Sequence, residues 1–111
     1  MQADYQQEAT PGCGVRFKVM VDGREIGHSY LYLLRNDLHL VPFGLVEDVF
    51  IEADFRGQGL GKFLLNRIIE EAKVRHCYKL ILTCRHSNKH LHNFYEQSGF
   101  TNHGFEFRMD L

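Results

Sequence analysis

The stretch Arg56-Gly57-Gln58-Gly59-Leu60-Gly61-Lys62 lies between a run of residues typical of a strand and a run typical of a helix. Its glycines lack Cβ atoms and permit positive φ angles, so several backbone N–H groups can point into one concavity. The unpaired amides at the start of the following helix, together with the charges of Arg56 and Lys62, favour an anion there. The stretch therefore predicts a turn that can hold a pyrophosphate.

The spacing of this loop excludes the two commonest phosphate-binding motifs. A P-loop requires Ser or Thr after its Gly-Lys pair, but Phe63 follows Lys62. A dinucleotide-binding fingerprint requires a third glycine where Lys62 stands. Ordinary turns also contain such glycine clusters, so the neighbouring elements must distinguish a binding loop from a plain turn.

Length and composition predict one globular domain. The 111 residues are 44% hydrophobic, and the formal net charge of -1 gives no electrostatic footprint for nucleic acid. No apolar run is long enough for a bilayer and no secretory signal opens the chain, so we expect no membrane association and a cytoplasmic protein. The three cysteines, Cys13, Cys77 and Cys84, are expected to be reduced thiols.

The first half of the chain predicts three antiparallel strands after a flexible N-terminal arm over residues 1–14. Alternating apolar residues and turn residues place these strands at Val15–Val21, Ile26–Leu34 and Leu38–Ile51. Asp22-Gly23 forms the first turn. Pro42 and Gly44 interrupt the third run, so its better ordered half is Val46–Ile51.

The second half predicts two helices and two further strands. Apolar residues at helical spacing form one face of the first helix: Leu60, Phe63, Leu64, Ile68 and Ala72. Lys79–Cys84 predicts a strand parallel to the third, and Ser87 or Asn88 caps a helix that stops at Ser98-Gly99. The alternation of Phe105, Phe107, Met109 and Leu111 predicts a final strand or hairpin within Phe100–Leu111 that faces a core.

Three motifs in this order resemble the GNAT superfamily of N-acetyltransferases. They are Arg-x-x-Gly-x-Gly from Arg56, the strand Val46–Ile51 before it, and Asn88 with Asn93-Phe94-Tyr95 followed by Gly99-Phe100. The Glu-Asp pair before the loop and the Asn88-to-Tyr95 spacing resemble the polyamine acetyltransferases. The segment Cys77-Tyr78-Lys79-Leu80 resembles the glucosamine-phosphate acetyltransferases.

The resemblance and the element order imply an α/β (α+β) fold: a mixed, mostly antiparallel central sheet flanked by helices. Residues 15–111 would form a single acetyl-CoA-binding N-acetyltransferase domain. It would be a minimal GNAT fold that lacks the usual N-terminal strand and two helices, which wall the acceptor site in the family. A second subunit could supply that wall, which favours a homodimer.

The resemblance also implies the roles of the binding residues. The backbone of Val49, Phe50 and Ile51 would pair with the pantetheine arm of the coenzyme and leave one amide free as an oxyanion donor. Residues Arg56 to Lys62 would hold its diphosphate. Asn88 and Phe94 are expected to contact the coenzyme as well, although Asn88 could serve only as a helix cap.

Glu47 and Tyr95 are the predicted catalytic residues. Glu47 would act as general base on the substrate ammonium, with Asp48 beside it in the substrate site. Because strand side chains alternate, regular geometry lets only one of this pair face the acceptor, and both could instead be solvated edge charges. Tyr95 would protonate the departing sulfur; the alternative is that its ring packs in the core with a satisfied hydroxyl.

The sequence gives less support to a metal site and to a covalent acyl-cysteine. His86, His90 and His92 lie close together in sequence, but positions 90 and 92 point to different helix faces, and no paired metal-binding motif completes a site. We therefore expect no metal. Cys84 could carry an acyl group, but a small buried side chain is the preferred interpretation.

The sequence therefore predicts an enzyme that transfers an acetyl group from acetyl-CoA directly to a primary amine of a small acceptor. The carboxylates Glu47, Asp48 and Glu52 favour a cationic acceptor, such as a polyamine, over an amino-sugar phosphate. The alternative function is that of a non-catalytic acyl-CoA sensor or interaction domain.

Overall fold

A computed structural model describes residues 2–111, which form two compact units. The first unit comprises the described residues up to Ile81, and the second comprises Leu82–Leu111. In the range 2–111, no helix combines the length and the apolar character needed to cross a bilayer.

The first unit contains a four-stranded sheet. Its strands are β1 (Gly12–Val21), β2 (Arg24–Leu34), β3 (Phe43–Ile51) and β4 (Leu80–Ile81), and they lie side by side in chain order. The pairs β1–β2 and β2–β3 are antiparallel, whereas β3–β4 is parallel. The predicted mixed, mostly antiparallel sheet is confirmed, although β1 begins at Gly12 rather than at Val15.

The third strand is shorter than the apolar pattern predicts. It begins at Phe43, because Pro42 has no N–H to donate to a ladder. Leu38 and Leu40, which the pattern placed in the strand, are 83% and 97% exposed. The better ordered half, Val46–Ile51, lies within β3 as predicted.

The helix α1 (Leu60–Val74) connects β3 to β4 and packs against β1, β2 and β3. Its buried face consists of Leu64, Leu65, Ile68 and Ala72. The buried apolar residues of the sheet are Val19, Ile26, Leu31, Leu33, Val46 and Ile51. Each fully buried aliphatic side chain contributes about 1.5–3 kcal/mol, so this layer is the main source of stability in the first unit.

The second unit contains the helix α2 (Lys89–Gln97). The Asn88 side-chain oxygen accepts a hydrogen bond from the backbone N–H of Leu91 at 3.2 Å, so Asn88 and not Ser87 caps the helix. The chain leaves the helix at Gly99, where φ is 104°, as predicted for a helix end.

Two strand predictions in the last third of the chain are corrected. Residues 101–111 belong to no helix or strand, and the side chains of Phe105, Phe107, Met109 and Leu111 are exposed instead of facing a core. The predicted strand Lys79–Cys84 is reduced to Leu80–Ile81. Alternation predicts which side chains share a face, but a strand forms only where a neighbour supplies backbone partners.

Candidate functional site

The glycine loop, Arg56 to Lys62, follows a 3-10 turn at Ala53–Phe55, and its last three residues form the start of α1. Gly57 and Gly59 have φ angles of 78° and 81°, in the left-handed region that favours glycine. A Cβ built on either residue would have no heavy atom within 4 Å, so the space beside the loop is open. The sequence-predicted turn therefore has its glycines where the backbone requires them.

The N-terminus of α1 has no side-chain cap and no acidic residue in its first turn. Gly59 is the N-cap residue, and its carbonyl accepts the first helical hydrogen bond from the N–H of Phe63 at 3.0 Å. The amides of Leu60, Gly61 and Lys62 precede that bond and have no partner within the helix. Together with the positive end of the helix dipole, they form a site suited to an anion.

Arg56 connects this loop to the end of β3. Its Nε donates a hydrogen bond to the carbonyl oxygen of Ile51 at 2.8 Å, and its guanidinium carbon lies 5.8 Å from the centre of the Phe50 ring. This bond uses one of the five guanidinium N–H groups. Arg56 therefore positions the loop, in addition to carrying charge next to it, and the exposed Lys62 supplies a second positive charge.

A β-bulge interrupts β3 at the two predicted carboxylates. The register with β2 passes from the Tyr30–Glu47 pair to the His28–Phe50 pair, so Asp48 and Val49 together oppose a single residue. Asp48 has a positive φ of 55°. Both Glu47 and Asp48 are exposed, and the bulge replaces the regular strand geometry on which the expectation of a single acceptor-facing carboxylate was based.

A buried serine stabilises the bulge. Ser29 is 0% exposed, and its hydroxyl donates a hydrogen bond to the Glu47 carbonyl oxygen at 2.9 Å. This bond satisfies a backbone acceptor at the point where the ladder is disrupted. It also fixes the backbone that carries the Glu47 side chain.

The outer edge of β3 is only partly paired. β4 pairs with Gly44 and Leu45, and the ladder extends no further within residues 2–111. From Val46 to Ile51, β3 is paired on the β2 side alone. On the other edge no strand within residues 2–111 pairs with Val49, Phe50 and Ile51, so an extended ligand could pair there, except at the Ile51 carbonyl oxygen, which accepts the hydrogen bond from Arg56.

His28 and Tyr30 are neighbours of this site that the sequence motifs do not indicate. The rings of His28 and Phe50 are 5.2 Å apart, and Tyr30 is the cross-strand partner of Glu47. The alternation of β2 contains the signal, because residues 28 and 30 share one face of a strand. Identifying their partners required the register, which the bulge shifts.

The acidic cluster is weaker than the sequence suggested. Glu52 forms an ion pair with Arg24 at 2.7 Å, so its charge is largely compensated. Glu47 and Asp48 form no ion pair with any residue in the range 2–111. No group of three or more metal-ligating side chains occurs in that same range.

In the second unit, Tyr95 has a buried ring and an unbonded hydroxyl. The ring is 7% exposed and lies 5.4 Å from Phe94 and 6.1 Å from Phe100, measured between centroids. Across residues 2–111, every fully buried side-chain polar atom has a partner, yet the Tyr95 hydroxyl makes no hydrogen bond, so the oxygen retains accessible surface. Burial raises the pKa of Tyr95, and the neighbouring Cys84 adds to the effect. The phenol therefore remains a proton donor at neutral pH.

Burial also raises the pKa of the Cys84 thiol, with a further contribution from Glu106. A thiol with a raised pKa holds less thiolate at neutral pH and is a weaker nucleophile. This environment favours the packing role for Cys84 over an acyl-carrying one.

A profile of the Acetyltransferase (GNAT) family matches residues 1–100. The chain belongs to the GNAT acetyltransferase family. It is 44% identical over 57 residues to glucosamine 6-phosphate N-acetyltransferase 1 of rice, Oryza sativa subsp. japonica. The matched region covers 51% of this chain and 33% of the relative. It is 43% identical over 68 residues to glucosamine 6-phosphate N-acetyltransferase of Trypanosoma brucei brucei, covering 61% of this chain and 44% of that protein.

A solved structure of a Trypanosoma brucei acetyltransferase superposes with a TM-score of 0.77 at 32% identity, over 88% of this chain and 69% of that one. The GNAT fold inferred from the sequence motifs is thereby confirmed. The chain matches less than half the length of the two curated relatives.

Proposed function

We propose that this GNAT family member transfers an acetyl group from acetyl-CoA to a primary amine of a small acceptor. The observation that carries the proposal is the uncapped N-terminus of α1, presented by Gly57 and Gly59 between Arg56 and Lys62. Open space beside the glycines and two exposed cations suit the diphosphate of coenzyme A.

The loop residues Arg56, Gly57, Gln58, Gly59, Leu60, Gly61 and Lys62 would hold the diphosphate through backbone amides and charge. The unpaired edge of Val49, Phe50 and Ile51 would pair with the pantetheine amides. Asn88 uses its side-chain oxygen as the cap of α2, which leaves its NH2 group to donate to the coenzyme. Phe94 would contribute apolar contact.

Acetyl-CoA supplies the acetyl group as a thioester. Glu47 would accept a proton from the acceptor ammonium, so that the neutral amine can attack the carbonyl carbon. A free backbone N–H on the outer edge of β3 would stabilise the developing oxyanion. As the C–N bond forms and the C–S bond breaks, Tyr95 would give its proton to the thiolate. The second proton, which the nitrogen loses as it becomes an amide, would return the Tyr95 phenolate to the phenol, and Glu47 would release the first proton to solvent. The pKa of Tyr95, raised by burial, supports that role because it keeps the phenol protonated.

Two acceptor classes are candidates. The exposed carboxylates Glu47 and Asp48 support a cationic amine such as a polyamine, although the ion pair of Glu52 with Arg24 removes part of this support. The similarity to two glucosamine 6-phosphate N-acetyltransferases supports an amino-sugar phosphate. In the strand register, Arg16 of β1 lies opposite Tyr30 of β2, and Tyr30 lies opposite Glu47 of β3. Arg16 and Glu47 therefore lie on the same face of the sheet, two strands apart.

The test is release of free thiol from acetyl-CoA in the presence of an amine panel that contains a polyamine and glucosamine 6-phosphate. We expect turnover with one of these classes, and the preferred class identifies the acceptor. Absence of turnover with every amine would contradict the enzyme proposal.

Variants distinguish an enzyme from a non-catalytic acyl-CoA sensor. Glu47→Gln is expected to lower kcat roughly 100- to 10,000-fold and Tyr95→Phe to lower it less, while calorimetry detects unchanged acetyl-CoA binding. Asp37→Asn, which alters an exposed carboxylate in the loop before β3, is the matched control and should retain full rate. A sensor would bind acetyl-CoA and have no rate to lose.

A further inference from the structure

A groove lies at the opposite end of α1 from the glycine loop. The strands β1 and β3 begin beside it, and β2 and α1 end beside it. Its volume is about 710 Å³, within the range of roughly 300–1,000 Å³ that is usual for small-molecule sites. The 15 residues of α1 rise about 1.5 Å each, so about 22 Å separates the groove from the glycine loop. The groove is therefore distinct from the candidate acetyl-CoA site.

One part of the groove is apolar. Leu33 of β2 is 6% exposed, and Leu40, Val41 and Pro42 line the groove from the segment that precedes β3. The Leu40 side chain is 97% exposed, so nearly all of its apolar surface can contact a ligand. An apolar lining with a few polar groups is the usual character of a small-molecule pocket.

The other part of the groove is cationic. Its polar side chains are those of Cys13, Arg35, Arg75 and His76, and none of the described residues that line it is acidic. Arg35 forms no ion pair with any residue in the range 2–111. A guanidinium group is a planar fork of N–H donors that matches a carboxylate or a phosphate.

Arg75 is only partly engaged by its acidic neighbour. Its Nε donates a hydrogen bond to the Glu71 carboxylate at 3.0 Å, which leaves the two terminal NH2 groups to bind a ligand. The pKa of Arg75 is raised, chiefly by the hydrogen bond to Glu71 and to a smaller degree by Cys13, so the thiol lies near this guanidinium.

The C-terminus of α1 opposes this cationic character only weakly. The helix dipole is negative at this end, but its partial charge resides on the last carbonyl groups. The backbone amides of residues 75–77 donate to three of those carbonyls at 3.0 Å each. The full charges of Arg35 and Arg75 therefore dominate, and the groove is complementary to an anion.

We propose that this groove binds a small organic anion, namely a carboxylate or a phosphate attached to an apolar chain. Arg35 and Arg75 would donate charge-assisted hydrogen bonds to the anionic group, and the chain would lie against Leu33 and Leu40. The site goes beyond the proposed acetyl transfer and does not depend on it, because its lining includes no residue of the glycine loop or of the bulge in β3.

The first test is calorimetry of the full chain with octanoate and with octyl phosphate, which distinguishes the two anionic groups. At least one of them should bind at a single site, and 1-octanol should bind roughly tenfold more weakly because it forms no charge-assisted bond. Saturating coenzyme A should leave the affinity unchanged. Absence of saturable binding by both anions, equal affinity for 1-octanol, or displacement by coenzyme A would overturn the proposal.

Variants of exposed residues test the two parts of the groove. Arg35→Gln and Arg75→Gln should each weaken binding of the anion roughly tenfold, whereas Arg67→Gln, at another ion-paired arginine of α1, should leave it unchanged. Leu40→Ser should also weaken binding, and Leu38→Ser is its matched control outside the groove. Equal effects of the variants and their controls would contradict binding in the groove.

The thiol of Cys13 gives an independent test of location. Cys13 lines the groove and is exposed, whereas Cys77 and Cys84 are half-buried and do not line it. At ten times its dissociation constant, the bound anion should slow alkylation of Cys13 by iodoacetamide roughly tenfold by mass action. The rates at Cys77 and Cys84, followed by mass spectrometry of peptides, should not change. An unprotected Cys13 would place the anion elsewhere and overturn the proposal.

Discussion

β1 and the segment 104–111 carry the same alternation of apolar and polar side chains, yet only β1 lies in a sheet. In β1, Val19 is 5% exposed and its neighbours are hydrogen-bonded to β2. In the segment, Phe107 is 93% exposed. The difference is that a tight turn delivers β2 to β1 within two residues, Asp22 and Gly23, whereas no turn delivers a partner to the segment. Local pattern therefore specifies a face, and a backbone neighbour is needed to make the strand.

The largest expected effect lies in the layer that β1 joins. Leu65→Ala removes a side chain that is 0% exposed on α1 and should lower the free energy of unfolding by about 2–5 kcal/mol. Val74→Ala on the same helix, at a residue 69% exposed, should change it by less than about 0.5 kcal/mol. Urea denaturation measures both. Equal effects of the two variants would contradict a core formed by α1 and the sheet.

The glycine loop and the segment also differ in what they require of a glycine. Gly59→Ala forces a side chain into a left-handed conformation and should cost about 1–2 kcal/mol of unfolding free energy. Acetyl-CoA affinity should fall with it, because the amides of α1 depend on that conformation.

Gly104→Ala is the control in the segment, where φ is not left-handed and an added Cβ meets nothing within 4 Å. It should leave both stability and coenzyme binding unchanged. Calorimetry with acetyl-CoA measures the affinity of both variants, and urea denaturation measures their free energy of unfolding. If Gly59→Ala changes neither quantity, the loop backbone does not require a left-handed conformation at residue 59.

A smaller effect tests the helix of the second unit, which precedes the segment. Asn88→Ala removes the hydrogen bond to the Leu91 amide and should destabilise α2 by about 0.5–2 kcal/mol. Ser87→Ala should be neutral, since Ser87 makes no cap contact. Thermal unfolding followed by circular dichroism compares them. If Ser87→Ala destabilises the helix more than Asn88→Ala does, then Asn88 is not the residue that caps α2.

The smallest effect concerns the buried ring of Tyr95 in the second unit. The folded protein favours the protonated phenol of Tyr95, whose pKa is raised by burial above its ordinary value of 10.0. This contribution is fully present below the pKa of the unfolded tyrosine and is lost as pH rises through the folded pKa. Stability of the wild type should therefore decline more steeply above pH 10 than that of Tyr95→Phe. Parallel pH profiles of the two would show that the ring is not buried.

The sequence predicted the features of the candidate site that depend on adjacent residues. It did not predict the features that depend on the register between strands. The loop from Arg56 to Lys62 follows from glycine conformations and from a helix start, which are local properties. The bulge at Asp48 does not, because it depends on how β3 pairs with β2 and on the hydrogen bond from the buried Ser29. The proximity of His28 to Phe50 was missed for the same reason.

The amino-acid order alone specified the succession of strands and helices as far as α2, the glycine loop and the kinship with GNAT acetyltransferases, because periodicity, turn residues and helix ends act over a few neighbouring positions. Three-dimensional packing specified the rest: the exposure of both Glu47 and Asp48, the compensation of Glu52 by Arg24, and the unpaired state of residues 101–111. These features depend on contacts between residues far apart in the chain, which no local pattern encodes.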